Sequence, residues 1–272
     1  MGSEDIRNPE DCLLVTIMED FSVKIYNSLL DTLISAGYEF QTFQEFMLEP
    51  LDRVVILRHD VDKKPENSLS FAEIEHEKGL RASYFFRVVK ESLHVDKLLS
   101  IKALGHEIGY HYEDMDPAKG DHEKAIKSFE ENLKKLRKLA PIDTICMHGS
   151  PLSKHDNKEL WQHYEYRKYG LIGEPYFDID YDKLFYITDT GRKWNNRDAS
   201  IRDKVESPFE IEVKSTEHFI ELIKAGKMPE KMMINTHPQR WNDDLLPWVV
   251  ELVGQSVKNQ IKKIVSRRLG KF

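Results

Sequence analysis

The chain has 272 residues, 40% of them hydrophobic and 32% charged, which are the proportions of an ordinary globular protein. That length suits one large α/β domain or two smaller ones. The net charge of -7 argues against a nucleic-acid partner, because such proteins carry a surplus of Lys and Arg, and no apolar run reaches membrane-spanning length.

The first ten residues, Met1 to Glu10, are acidic and polar and lack the apolar core of a signal peptide. Cys12 and Cys146 are too few for a disulfide framework. Both features lead to the expectation of a cytoplasmic protein. From Asp20 to Ala36 the apolar residues Val23, Tyr26, Leu29, Leu30 and Leu33 recur at helical spacing, and Gly37 supplies a stop.

Strand-like and helix-like segments then alternate. Short apolar runs predict strands over 54–60, 83–89, 107–111, 144–148, 175–179, 184–189 and 232–237, with helices near 66–78, 95–104, 121–139, 156–168 and 214–226. The helix after Asp121 is the clearest: Asp121 can cap it, Ile126, Phe129, Leu133 and Leu136 form one stripe, and Pro141 prevents continuation. A last helix, Asp243 to Arg268, carries Leu246, Val249, Val253, Val257, Ile261 and Ile264 at similar intervals.

The alternation predicts parallel strands in right-handed crossovers. About seven strands without a Gly-x-Gly-x-x-Gly fingerprint favour an α/β fold of the distorted (β/α) barrel type over a dinucleotide-binding sheet. No linker or repeat divides the chain, so residues 1–272 read as a single domain with its core at about 50–240 and the terminal helices packed on it.

Ligand-type residues close these apolar runs, at the end of a parallel barrel where active sites sit. Asp60 and Asp62 end the run from Val54, His111 ends the run from Gly105, His148 follows Ile145-Cys146-Met147, and His237 ends the run from Met232. Residues two apart on a strand share a face, so Asp60 and Asp62 point into one space. Two carboxylates there call for separate roles, one binding a cation and the other serving as a base. The plainer reading is an Asp pair neutralised by Arg58, Lys63 or Lys64. A lone histidine is more often a packing residue, but imidazoles at three strand ends beside two carboxylates favour a metal or acid–base site. His106 begins its strand on the opposite face and reads as structural. Asp189 and Trp194 bracket a polar loop after a strand, with the aromatic ring a candidate sugar platform, or else a cover for the barrel edge.

Arg58-His59-Asp60-Val61-Asp62, followed by Gly105-His106-Glu107-Ile108-Gly109-Tyr110-His111, resembles the polysaccharide deacetylase family, the NodB-homology carbohydrate esterases. The likeness spans roughly 50–240. It implies a distorted (β/α) barrel holding a divalent metal, commonly zinc, and a metal-dependent hydrolase that removes an acyl group, above all N-acetyl, from a sugar. Carried over by position, Asp60 is the general base, Asp62 the metal carboxylate, His111 the first metal histidine, and His237 the acid that protonates the leaving group. Arg58, Asp189 and Trp194 are then candidate substrate contacts, and Met147 to Pro151 falls at a groove-lining motif.

Two positions depart from the family pattern. Met115 stands where a second metal histidine is usual, and Met147 where an arginine is. A thioether is a poor ligand for a hard or borderline cation, so the third ligand is expected from His148, with Glu113 as the second choice. The resemblance further implies an acylated sugar or surface-polysaccharide precursor as partner. An inactive, sugar-binding barrel is the alternative that Met115 and Met147 motivate. Lys258, Lys262, Lys263, Arg267, Arg268 and Lys271 could place the last helix on an anionic membrane, although a solvated basic helix end explains them as well.

Overall fold

A computed structural model describes residues 20–149, 153–194 and 205–268, with the backbone alone for 261–268. The N-terminal residues 1–19, Ser150 and Pro151 of the third motif, Asn195 and Lys271 lie outside the described residues, as do the side chains of Ile261, Ile264 and the last basic residues.

Among the described residues seven strands run parallel: β1 (Glu39–Gln41), β2 (Val54–Val61), β3 (Ser83–Phe86), β4 (Glu107–Tyr112), β5 (Ile145–Met147), β6 (Phe185–Thr188) and β7 (Lys231–Thr236). Their order is β5-β4-β3-β2-β7-β6, and β1 lies beside the first half of β2, with Glu39 opposite Val54. β3 takes the second half of the same edge, pairing Arg58 with Ser83 through Val61 with Phe86. Among the described residues β5 and β6 do not pair with each other, so the sheet curls into a distorted (β/α) barrel that stays open on that side.

The helices are α1 (Val23–Ser35), α2 (Phe43–Leu48), α3 (Pro65–Glu77), α4 (Val95–Ala103), α5 (His122–Arg137), α6 (Pro175–Asp178), α7 (Thr216–Lys224) and α8 (Leu245–Arg268). Local chemistry sets their starts. Ser22 Oγ accepts from Ile25 N ahead of α1, Thr42 and Glu45 form a capping box on α2, and Asp121 caps α5.

All eight residues of β2 are buried, as a strand covered on both faces requires. Its side chains alternate between two environments. Val55, Leu57 and Val61 join the large core under the helices, whereas Ile56 joins Phe43, Phe85, Cys146, Tyr186 and Met233 inside the barrel. The inner cluster forms an apolar floor, and the polar strand ends stand above it on the same faces.

Behind β2, a second buried polar group ties the layers together. His59 Nε2 donates to Glu75 Oε1 at 2.7 Å, Tyr84 Oη donates to Glu75 Oε2 at 2.7 Å, and Tyr26 Oη also donates to Glu75. Thr236 Oγ1 donates to His59 Nδ1 at 2.7 Å. Every member is buried and hydrogen-bonded, so helices α1 and α3 are registered against β2 and β7 without an orphaned charge. His106 sits in the same layer, accepting from Ala82 N and donating to the Ala72 carbonyl.

Three sequence expectations are corrected. Residues 175–179 do not form a strand: Glu174 accepts from Tyr176 N and Pro175 occupies the first helical turn, so α6 forms instead. The seventh strand is β1, whose three residues are too short to show a period. The single helix expected over 156–168 is two 3-10 segments, Asn157–Gln162 and Tyr166–Tyr169, the second closed by Gly170 in the left-handed region. The third correction concerns α8, whose bounds match but whose apolar stripe does not face the barrel: Leu246, Val253 and Val257 are all more than half exposed.

Gly109 shows why a glycine stands in β4. A Cβ there would lie 2.4 Å from the Phe85 ring, and Phe85 is itself wedged into the barrel floor. Gly109→Ala is expected to destabilise the fold by about 1–3 kcal/mol through overpacking, read as a lowered midpoint in urea with an unchanged slope.

Candidate functional site

The site is built on the strand ends above the apolar floor. Arg58, Asp60 and then Asp62 leave β2 on its inner face. Arg58 is buried and grips Asp60 with two bonds, Nε to Oδ1 at 2.9 Å and Nη2 to Oδ2 at 2.7 Å. Asn235 Nδ2, from β7, adds a bond to Asp60 Oδ2 at 3.1 Å. Burial works to raise the Asp60 carboxyl, and Arg58, with His111 and His237, outweighs it and holds the group well below the usual carboxylate range.

Asp62 has different neighbours. Its Oδ1 lies 3.6 Å from His111 Nε2 and 3.5 Å from His148 Nε2, and one ligand atom from each of the three residues lies within 4.8 Å of the other two. Burial opposes ionisation of Asp62, but His148, His237 and His111 bring its carboxyl to about 2. Gln239 Nε2 donates to the other oxygen, Oδ2, at 3.2 Å.

Both imidazoles are oriented from behind. His111 Nδ1 donates to the Cys146 carbonyl at 2.9 Å, which leaves Nε2 with its lone pair towards Asp62. Burial lowers His111 to about 4 against the pull of Asp60, so the ring is neutral at pH 7. His148 Nδ1 lies 3.1 Å from Glu113 Oε2, and Arg87 holds Glu113 through two bonds of 3.1 and 2.7 Å. Burial of Glu113 is offset by His148 and Arg87, which bring it to about 2. A carboxylate behind an imidazole is the usual support of a metal-ligating histidine.

This donor set fits a divalent cation. Asp62 Oδ1 is buried and accepts no hydrogen bond among the described residues, while the Nε2 atoms of His111 and His148 face it. One carboxylate and two imidazoles are three ligands of the kind that zinc takes in hydrolytic sites. A second grouping, Asp60, His111 and Cys146, is as close-packed, but both Asp60 oxygens are already committed to Arg58. Met115 and Met147 are buried in the large core and contribute nothing here.

His237 closes the opposite side. Its Nε2 stands 3.9 Å from Asp60 Oδ2 and 3.9 Å from Asp62 Oδ2. Asp189, fully buried at the end of β6, accepts from His237 Nδ1 at 2.6 Å and from His237 N at 3.0 Å. Arg240 Nη1 and Trp241 Nε1 donate to the same carboxylate. Burial of Asp189 is outweighed by His237 and Arg240, which lower its pKa.

Three residues expected at the substrate are placed elsewhere. Arg58 directs Nε and Nη2 to Asp60, and its Nη1 has no hydrogen-bond partner among the described residues. Asp189 is enclosed by His237, Arg240 and Trp241 and acts on the imidazole. Trp194 is 2% exposed, stacks on Phe21, meets Phe219 and Trp241 edge-on and donates to Thr216 Oγ1 at 2.9 Å, so its ring is enclosed. Residues that the sequence reading missed are Arg87, Asn235 and Gln239. Asn235 could have been found as the position two before His237 on the same strand face. Arg87 and Gln239 follow strand ends but lack any spacing signal.

No family model and no curated protein matches the chain. Among solved structures it is similar to a CE4 esterase from Streptococcus mutans, with 12% identity and a TM-score of 0.43 over 83% of this chain and 86% of that one. It is also similar to a family 4 carbohydrate esterase from Bacillus anthracis, at 14% and 0.38 over 88% and 90%. A CE4 family pseudoenzyme from Bacillus anthracis matches at 13% and 0.41 over 77% and 63%.

The Arg58–Asp60 pair gives a direct test. Arg58→Met is expected to cost about 3–5 kcal/mol, because it strands a buried carboxylate. Arg58→Met with Asp60→Asn should cost less than the sum of the two single changes, as chemical denaturation of all four proteins would show.

Proposed function

We propose that the chain is a metal-dependent hydrolase that removes an acyl group, N-acetyl foremost, from a sugar of surface polysaccharide or its precursors. The observation that carries this reading is the convergence of Asp62, His111 and His148 on one point with Asp60 and His237 Nε2 alongside. The sugar is the substrate class that the resemblance of the first two motifs implies.

Asp62, His111 and His148 would hold the cation, with zinc the first candidate. When bound, such a cation polarises an acyl carbonyl and favours ionisation of water. Asp60 is ionised throughout the neutral range and takes the proton of the attacking water. Arg58 and Asn235 fix the orientation of its carboxylate, so one lone pair direction is presented to the site. His237 gives a proton from Nε2 to the departing amine or alcohol, and Asp189 stabilises the charged imidazole through Nδ1. Water adds across the acyl bond, releasing the free sugar and a carboxylate. The reading of an inactive barrel rests on Met115 and Met147, and the ligand set is drawn from other residues.

Acetate release from acetylated amino sugars, with metal content determined alongside, tests the assignment. Asp60→Asn and His237→Ala should each lower kcat by about 10²–10⁴-fold, the usual contribution of a positioned acid or base, while the metal content stays at the wild-type level. Asp62→Ala should lose the metal, and Glu113→Gln should weaken its binding about 10–100-fold by removing the carboxylate behind His148. Equal rates in wild type, Asp60→Asn and His237→Ala would defeat the proposal.

The pH dependence follows from the same contacts. Because the folded Asp60 pKa is depressed, the acid limb of kcat/KM is not set by this group in the wild type. Arg58→Lys, which keeps the charge but loses the paired bonds, should let burial raise Asp60 and move the acid limb to higher pH.

A further inference from the structure

Helix α8 is built inside out. Its inward residues are Trp248, Glu251 and Gln255, all buried, and they meet polar groups at the rim of the site. Arg192 Nη1 donates to the Trp248 carbonyl at 3.0 Å, Lys63 Nζ lies 3.3 Å from Glu251 Oε2, and Asn259 Nδ2 donates to the Gly191 carbonyl at 3.0 Å. The outward face is apolar. Leu246 is 77% exposed, Val250 68%, Val253 56% and Val257 55%, and their spacing makes one continuous stripe along three turns. No described residue covers it. A contiguous apolar row on a helix whose other side is already packed marks an interaction surface.

The chain itself offers an occupant. Residues 1–19 join the described structure at Asp20, and Asp20 lies against the first turn of α8: Trp248 Nε1 donates to the Asp20 carbonyl at 2.8 Å. The neighbouring contacts, Lys24 N to Asp243 Oδ1 and Asn242 N to the Phe21 carbonyl, fix the entry point. In sequence the segment carries Leu13, Leu14, Ile17 and Met18 at helical spacing, after Asn8-Pro9-Glu10-Asp11, a helix-start pattern. Its acidic residues are Glu4, Asp5, Glu10, Asp11 and Glu19, four of them in its first eleven positions, and α8 is basic in sequence towards its far end, at Lys258, Lys262, Lys263, Arg267 and Arg268. Laid back along α8 in the antiparallel sense, the segment brings apolar against apolar and acid against base. The reach agrees, since α8 from Trp248 onward and a helical 19-residue segment would each span about 30 Å at ~1.5 Å per residue.

We propose that residues 9–18 dock antiparallel on the exposed Leu246–Val257 face of α8. The tether favours this occupant over a second copy, because a short linker gives an effective concentration of the order of millimolar. The docked segment would brace α8, and through Arg192 and Gly191 the loop that follows Asp189.

Hydrogen exchange of the full chain, followed by mass spectrometry at two protein concentrations a decade apart, tests the proposal with Leu14→Ser/Ile17→Ser and Val250→Ser/Val253→Ser as paired variants. In the wild type the amides of 10–18 should exchange at least about ten-fold slower than an unstructured chain, equally at both concentrations. Val250→Ser/Val253→Ser should abolish that protection while β2 and β7 keep theirs, and Leu14→Ser/Ile17→Ser should speed exchange in α8. Unprotected 10–18 amides in the wild type would overturn the proposal. So would α8 protection that grows with concentration together with a doubled mass, the mark of a second copy. Protection seen only with anionic vesicles would overturn it in favour of a lipid surface.

Discussion

The structure depends on how two carboxylates are kept ionised side by side at the end of one buried strand. Asp60 and Asp62 share the inner face of β2, and in a low-dielectric barrel neither would stay charged without compensation. The compensation is unequal. Asp60 is held by the fork of Arg58 and the amide of Asn235, whereas Asp62 is left with one oxygen bonded to Gln239 and the other facing two imidazoles. This asymmetry leaves one carboxylate held through both oxygens and the other with an oxygen that accepts no hydrogen bond among the described residues.

The surrounding layers hold the asymmetry in place. Below the carboxylates Ile56, Phe85, Cys146 and Met233 form a fully buried apolar floor. Behind them the Glu75 group locks His59, the outward neighbour of Asp60, to helices and to β7. Two histidines at the mouth have the rear nitrogen bonded to a specific acceptor, a backbone carbonyl for His111 and Asp189 for His237, and His148 Nδ1 lies 3.1 Å from Glu113. The tautomers of His111 and His237 therefore follow from contacts made outside the site.

Much of this could be read from residue order. Val54 to Asp62, Gly105 to His111 and Met232 to His237 are apolar runs ending in polar ligands, and a parallel sheet delivers such ends to one mouth. The helix at Asp121 was equally plain, since a cap, a stripe and a stop agree. Legibility failed where the signal was short or shared. Residues 175–179 are apolar enough for a strand, yet Glu174 and Pro175 start a helix there. The α8 stripe has the correct period, but periodicity does not say which face of a helix meets the protein.

The sequence by itself determined the parallel α/β architecture and the side of it on which chemistry would gather, because strand periodicity and strand-end residue types are local properties. Only the tertiary structure decided which polar groups serve one another. Arg58 and Asp60 are neighbours in the chain, but Arg87 reaches Glu113 and Asp189 reaches His237 across separate strands. Those pairings arise from the curl of the sheet and the enclosure of the loops, which turn Trp194 inward and bring His148 beside Asp62 and His111.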